Sequence, residues 1–403
     1  MGANTPTVSK TAEALPPPTE RSSIVRWLHK NLFSTWYNAL LTVVMLFLAA
    51  LIVRGVLEWA FTQARWEVIT ANLRLFMVGQ YPVAALWRIW ACVALLALLI
   101  GMSWSIWGGA QRGGAIAFGA LPFILAIITS DETARLALLI TGIAGVVGYA
   151  LSWRWSAALR RISIVGWILY FPILFVLVSG VGADDSPIPP VPTNLWGGLL
   201  LTLLLSVVGI VFSFPLGVLL ALGRQSSLPV VRWLCVAYIE LIRGVPFISV
   251  LFMAQLMLPL FLPGITIDRV VRAMAGVVIF SAAYLAENVR GGLQSIPRGQ
   301  YEAARALGLN PWKMTLLIIL PQALRAVIPI LVGQFIALFK DTSLVVIVGL
   351  LDLMGIARTV LAQPDFLGLQ AEVYTFVAFI YGIFCYLMSA FSQRLEAKLH
   401  TGR

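Results

Sequence analysis

Side chains that could perform catalysis or hold a metal are few and far apart in this chain. The three cysteines, Cys92, Cys235 and Cys385, lie in separate apolar segments without CxxC spacing, which fits neither a zinc site nor a disulfide framework. The two histidines, His29 and His400, lie near the termini among basic residues. We therefore expect no metal site, no cofactor and no enzymatic activity in this chain.

The longest polar interruption in the second half, Glu287 to Lys313, has the sequence of a helix, a corner and a second helix. Residues 301–307 form helix readily, and Gly308 suits the left-handed conformation that ends a helix. Asn310 offers an N-cap, and Pro311 takes the first helical position, where its missing N–H costs nothing. The residues thus predict a sharp corner between two exposed helices.

The first of these helices carries residues that could contact a partner protein. Ala303 and Ala304 would give it a small-residue face for close approach, and Glu302 and Arg305 are placed for polar contacts. An ordinary solvated loop between helices would show the same corner chemistry, so the residue types alone leave both interpretations open.

The spacing in this loop resembles the EAA motif of ABC importer permeases. Glu302-Ala303-Ala304 is followed by three residues, Gly308, nine residues and then Ile318-x-Leu320-Pro321, which matches every fixed position of that motif. The resemblance implies that residues 287–321 form the EAA coupling loop. It also implies that Glu302, Ala303, Ala304, Arg305 and Gly308 couple the chain to an ATPase.

The rest of the second half shows the same resemblance. Residues 194–400 look like the polar amino-acid uptake branch of these permeases. Residues 238–246 are similar to its ELIRGTP motif, with Val245 in place of the usual Thr, and residues 340–344 match its KDTSL motif. The additional amino-terminal spans resemble the longer permeases of general L-amino acid importers (AapM/BztC type).

This resemblance implies a function and a set of partners. The chain would form the translocation pathway of an ATP-driven L-amino acid importer, with a second homologous permease subunit, an ABC ATPase subunit dimer and a periplasmic substrate-binding protein. No GxxxxGK[ST] stretch is present, so ATP hydrolysis has to belong to another chain. The alternative is an ion-coupled secondary amino-acid transporter, which needs no EAA corner.

Charges within or near apolar segments are further candidates, because a charge at mid-bilayer usually faces protein or water. Glu240 and Arg243 are three residues apart and can share a helix face, either as an interfacial charge pair or in a structural role at the permease interface. Glu287 begins the polar interruption. Lys340 and Asp341 are adjacent, and one or both line the translocation path or pin a broken helix. The alternative is an outer-interface lysine with its counter-ion.

Composition places these residues in a membrane protein. The 403 residues are 60% hydrophobic and 11% charged, with the apolar residues in long runs. The net charge of +11 comes from Lys and Arg in short connectors, where they indicate membrane topology; we expect no nucleic-acid partner, and membrane lipid around the spans.

The apolar runs predict ten membrane spans. Two of them are short, so a re-entrant hairpin at 115–130 and 136–151 is an alternative. The polar segment 58–88 could be an amphipathic helix on the membrane surface or a folded external connector. The predicted spans are 38–57, 89–107, 115–130, 136–151, 163–181, 195–222, 232–258, 270–288, 324–347 and 373–392.

The expected fold class is an all-α polytopic membrane protein, a type I ABC importer transmembrane domain with extra amino-terminal transmembrane helices. The resemblance implies a bacterial inner-membrane location, and the arginine and lysine bias predicts that both termini are cytoplasmic. The expected organisation is a disordered cytoplasmic tail at 1–30, about five extra helices at 31–181, a proline-dense periplasmic linker at 182–194 and a core of five transmembrane helices at 195–400.

Overall fold

The computed structural model describes residues 24–107, 112–183, 185–261, 263–264 and 266–400. In this part of the chain, eight helices are long and apolar enough to cross a membrane, and a bent helix pair supplies a ninth if it is one span. The expected all-α multi-pass fold is confirmed. Residues 1–23 of the expected disordered tail at 1–30 lie outside the described residues. The rest of that segment, from Ile24, is helical and not disordered.

The helices described in the first half include four long apolar ones. Two of these four have a side-chain cap at their start: Thr35 accepts a hydrogen bond from the Asn38 N–H, and Asp131 accepts one from the Thr133 N–H. The bounds of all seven helices are α1 Ile24–Asn31, α2 Trp36–Glu58 with a π-helical extension Trp59–Gln63, α3 Glu67–Val78, α4 Leu86–Trp107, α5 Arg112–Ile128, α6 Glu132–Arg154 and α7 Ser156–Ser179. The four long apolar ones are α2, α4, α6 and α7.

The helices described in the second half have the bounds α8 Gly198–Arg224, α9 Pro229–Arg243, α10 Phe247–Phe252, α11 Leu258–Phe261, α12 Arg269–Gln294, α13 Arg298–Ala306, α14 Pro311–Met314, α15 Leu320–Asp341, α16 Leu353–Leu361 and α17 Gln370–His400. They pack around α8 and α12, and helix α8 also contacts α3, α9, α15 and α16.

The prediction of ten spans exceeds the eight or nine candidates in the described residues, because the segment expected at 115–130 contains only a short apolar helix, Phe118–Ile128. Two further predicted spans also differ from the structure. The single span expected at 232–258 is a pair, α9 and α10–α11, bent by 107°. The bend lies at Gly244 and Pro246, because Pro246 has no N–H to donate and disfavours helix in the residue before it. The segment expected at 136–151 is part of a 23-residue helix that extends to Asp131, whose side chain accepts a hydrogen bond from the Thr133 N–H at 2.9 Å.

The chain divides into two compact units after Arg65, not at the 182–194 linker. In the first unit, α2 has no buried residue. The second unit contains α3 to α17, and the linker lies inside it: the Val191 N–H donates to the Ser179 carbonyl at 2.8 Å, and the Arg88 guanidinium donates to the Pro189 carbonyl at 2.8 Å.

Helix α3 is a folded connector. It packs on α8, α16 and α17 and buries Val68, Ile69 and Phe76, which decides between the two alternatives for segment 58–88. Its end fits against the start of α8 because Gly198 has no side chain. A Cβ there would lie 2.3 Å from the Phe76 carbonyl oxygen, and the φ of Gly198 is +61°.

Helices α4 and α6 approach each other closely through glycines. A Cβ at Gly101 would lie 2.2 Å from the Gly145 carbonyl oxygen, and one at Gly148 would lie 2.3 Å from the Leu98 carbonyl oxygen. Small residues allow such backbone approach between helices in lipid, where no hydrophobic effect drives association.

Candidate coupling corner and charged cluster

The corner after α13 is formed by Gly308. Its φ of +73° is in the left-handed region, which a residue with a Cβ enters at a cost of about 1 to 2 kcal/mol. The Gly308 N–H donates to the Arg305 carbonyl at 2.9 Å, and the Leu309 N–H donates to the Ala304 carbonyl at 3.2 Å. These bonds satisfy the last carbonyl groups of the helix.

The next helix begins directly after the corner. The Asn310 side chain accepts a hydrogen bond from the Lys313 N–H at 2.8 Å, and Pro311 is the first helical residue. The helix–corner–helix predicted from the sequence is therefore present. We call the ends of α8, α12 and α15 that lie near this corner the corner end, and the opposite ends of these helices the far end.

The two alanines of the motif face different directions. Ala303 is exposed together with Glu302 and Arg305, whereas Ala304 is 1% exposed and belongs to a buried cluster with Leu293. The expectation that both alanines share a partner-facing surface is therefore wrong. Consecutive helical residues point about 100° apart, so Ala304 attaches the helix to its own chain while its neighbours remain accessible.

Two large apolar side chains at the corner were missed by the sequence reasoning. Leu307 is 77% exposed and Trp312 is 74% exposed, one on each side of Gly308. The available signal was two large apolar residues within a stretch that also carries Glu302, Arg305 and Lys313, since exposed residues of that kind are commonly buried by a partner.

Five charged residues meet at the corner end of α8, α9 and α12. Arg224 Nη1 lies 3.0 Å from Glu240 Oε1 and 3.3 Å from Glu287 Oε2. Arg243 Nη1 lies 3.8 Å from Glu287 Oε2, and Arg290 Nε donates to Glu287 Oε1 at 2.9 Å. We call these residues the inner charge cluster; Glu287 is its centre, because three guanidinium groups share its carboxylate.

Glu240 and Arg243 lie on the same helix as expected but have different partners. Glu240 pairs with Arg224, whereas Arg243 reaches Glu287 and places its guanidinium 5.7 Å from the centre of the Tyr284 ring. The cluster thus joins three helices that the sequence could not bring together.

A cavity of about 540 Å³ lies beside this cluster, between α12 and α15. Glu287 and Arg290 line one wall, and Ala326 and Ile330 line the other. The cavity is polar on one side and apolar on the other, and it lies close to the coupling corner.

Lys340 and Asp341 lie apart from that cluster. They end α15, about 30 Å along the helix from its start near the corner. Lys340 is exposed and Asp341 is half-buried, and the chain then tightens into a 3-10 helix, Thr342–Val348. The structure therefore separates the sequence candidates into a corner-end group and a far-end pair.

Comparisons with known proteins show the family to which this chain belongs. The family described as binding-protein-dependent transport system inner membrane component matches residues 213–401. The chain is 42% identical over 399 residues to the inner membrane amino-acid ABC transporter permease protein YhdY of Escherichia coli, covering 94% of this chain and 93% of that protein.

Two further similarities have different coverage. The chain is 36% identical over 431 residues to the glutamate/glutamine/aspartate/asparagine transport system permease protein BztC of Rhodobacter capsulatus, covering 95% of each. The crystal structure of an amino acid ABC transporter with histidines is similar at 30% identity and a TM-score of 0.45, covering 50% of this chain and 92% of that chain.

Long apolar helices interrupted by the EAA corner, together with the family match, define a multi-pass inner-membrane permease of the ABC importer class. Within that class, the chain belongs to the amino-acid ABC transporter permeases. These are transport permeases and not enzymes, and they work with an ATPase on a separate subunit and a substrate-binding protein. The secondary-transporter alternative is therefore rejected.

Proposed function

We propose that this chain forms part of the translocation pathway for L-amino acids and that its corner, residues 298–314, transmits ATPase movement to the membrane helices. The partners would be an ABC ATPase subunit dimer, a second homologous permease subunit and a periplasmic substrate-binding protein. The names of the similar proteins support amino acids as the substrate class. Both termini and the corner would lie in the cytoplasm, as the arginine and lysine bias indicates.

The observation that carries the coupling role is the construction of the corner. Ala304 and Met314 are buried in the same cluster as Val289 and Val327, which belong to the long helices α12 and α15. The outer face keeps Glu302, Leu307 and Trp312 exposed. A force that the ATPase exerts on that face would therefore be transmitted to α12 and α15 through a packed core, because packed cores have low compressibility.

The test compares two glycine variants, Gly308→Val and Gly333→Val. Within the described part of the chain, no atom beyond the neighbouring backbone lies within 4 Å of a Cβ added at either glycine, but only Gly308 has a positive φ, so only the first variant strains the backbone. We expect the ATPase subunit to co-purify from native membranes with wild type and Gly333→Val but not with Gly308→Val. Equal recovery with both variants would exclude the coupling role of the corner.

We propose a pathway role for Lys340 and Asp341 at the far end of α15, where opposite charges could meet the carboxylate and ammonium groups of an amino acid. The half-buried position of Asp341 supports this role, because a carboxylate at such a site usually faces protein or water. Uptake should fall in Lys340→Ala and Asp341→Ala. Unchanged uptake and unchanged transport-coupled ATP hydrolysis in both variants would exclude it.

A further inference from the structure

A groove of about 530 Å³ lies between α4, α5 and α6, in the part of the chain that precedes the family match. Aromatic rings form its sides: Trp104 from α4, Phe118 and Phe123 from α5, and Tyr149 and Trp153 from α6. Trp104 and Phe118 are stacked, with ring centroids 6.2 Å apart. Such a surface is suited to hydrocarbon, since it offers little to a polar ligand.

The length of the groove corresponds to one leaflet of a membrane. Its lining on α6 extends from Gly145 to Trp153, which is about 12 Å along the helix. The hydrocarbon core of a bilayer is about 30 Å thick, or about 15 Å for each leaflet. A transmembrane helix of a partner protein would require a contact surface through both leaflets, so the groove fits an acyl chain better than a helix.

Positive charges lie at the end of the groove that Trp153 marks. Arg154 follows directly, and α7 begins at Ser156 and carries Arg160 and Arg161. All three arginines are exposed, and the Arg154 guanidinium lies 6.0 Å from the centre of the Trp155 ring. Tryptophans and arginines at the end of a span are typical of the headgroup level, where arginines attract anionic phosphates.

We propose that this groove binds one acyl chain of an anionic phospholipid, whose phosphate is held by Arg154, Arg160 and Arg161. The proposal gives the additional helices of the first half a lipid-binding role. It does not depend on the coupling role of the corner, because no corner residue lines the groove.

The first experiment blocks the groove. A Cβ at Gly119 has Val146 Cγ2 as its nearest atom, at 3.9 Å, so Gly119→Phe can fill the groove without a backbone clash. Gly55→Phe is the matched control, because it adds the same ring in the other compact unit, where none of the described residues beyond the helix's own backbone has an atom within 4 Å of the added Cβ. Native mass spectrometry of the full-length chain, extracted from membranes into mild detergent, counts the retained phospholipids and identifies their headgroups.

We expect wild type and Gly55→Phe to retain one anionic phospholipid that Gly119→Phe lacks. Equal retention in Gly119→Phe would overturn the proposal, as would a retained lipid without headgroup preference. A membrane polypeptide that is released by Gly119→Phe in place of a lipid would overturn it as well.

The second experiment tests the headgroup contacts and does not depend on the groove variant. Arg154→Gln/Arg160→Gln/Arg161→Gln is compared with Arg135→Gln, which removes a charge at the opposite end of α6. The proteins are reconstituted in vesicles of phosphatidylglycerol and phosphatidylethanolamine in equal amounts. The measured quantity is the ratio of phosphatidylglycerol to phosphatidylethanolamine bound to the protein. Each removed arginine contact should lower this ratio by about fivefold. An unchanged preference in the triple variant would overturn the headgroup assignment.

Discussion

Arg224 and Glu287 are 63 residues apart in the sequence, and their side chains meet at 3.3 Å at the corner end of α8 and α12. Glu287 also binds Arg243 and Arg290, so its carboxylate is shared by three guanidinium groups. The strength of the inner charge cluster therefore depends mainly on one side chain, which is 22% exposed.

Glu287→Gln should destabilise the permease by about 1 to 3 kcal/mol, because three arginines would then lie together without their common carboxylate. Thermal unfolding of the purified protein in detergent measures this loss. Glu302→Gln is the control, since Glu302 is exposed on α13 and should leave the melting temperature unchanged. A similar melting temperature for both variants would contradict the central position of Glu287.

Leu307→Ala and Trp312→Ala should each weaken ATPase binding about 30-fold or more, which corresponds to a loss of at least about 2 kcal/mol. Exposed apolar side chains beside a corner contribute binding energy when a partner buries them. Titration of the purified ATPase subunit onto reconstituted permease measures the affinity. Trp36→Ala removes a tryptophan that is 79% exposed in the other unit, and should change nothing. If both corner variants bind the ATPase subunit with the affinity of wild type, the ATPase binds elsewhere.

Gly198→Ala should destabilise the second unit by about 2 kcal/mol or more, since its added Cβ would clash with the Phe76 carbonyl oxygen in a backbone conformation that alanine disfavours. Differential scanning calorimetry detects this change. Gly333→Ala adds the same methyl group in a helix with open space around it, and should be neutral or slightly stabilising. If Gly198→Ala has the same melting temperature as wild type, the contact between α3 and α8 does not contribute to stability.

Asp352 should make stability depend on pH. Its buried carboxylate caps α16 by accepting hydrogen bonds from the Gly355 N–H at 3.0 Å and the Met354 N–H at 3.2 Å, yet burial raises the pKa of Asp352 to about 6. The folded state thus binds the proton more tightly than the unfolded state, where the pKa is about 4. Stability should fall as the pH rises from about 4 to about 6, by about 3 kcal/mol in total.

Melting temperatures between about pH 4 and pH 7 measure this dependence. Asp352→Asn keeps a capping side chain but cannot ionise, so the fall should disappear in that variant while α16 stays capped. The same fall in Asp352→Asn as in wild type would assign the pH dependence to another group.

The local conformation of the corner could be predicted from the sequence because each step involves neighbours along the chain. Gly308 ends one helix through its own left-handed backbone, and Asn310 and Pro311 start the next through bonds within one turn. The apolar runs likewise predicted most spans. The bend at Gly244 and Pro246 was missed, because the apolar run continues across it although the helix does not.

The sequence by itself determined that this protein is an all-helical membrane protein with a helix–corner–helix at Gly308, since hydrophobic length and local helix signals require no distant contact. The permease class followed from the resemblance of that corner to the EAA motif. Only the tertiary structure decided that Ala304 faces inward, that Glu287 gathers arginines from three helices, and that the segment before α4 packs on α8 and α16. These features depend on which faces of distant helices meet, and packing across the whole chain sets that arrangement.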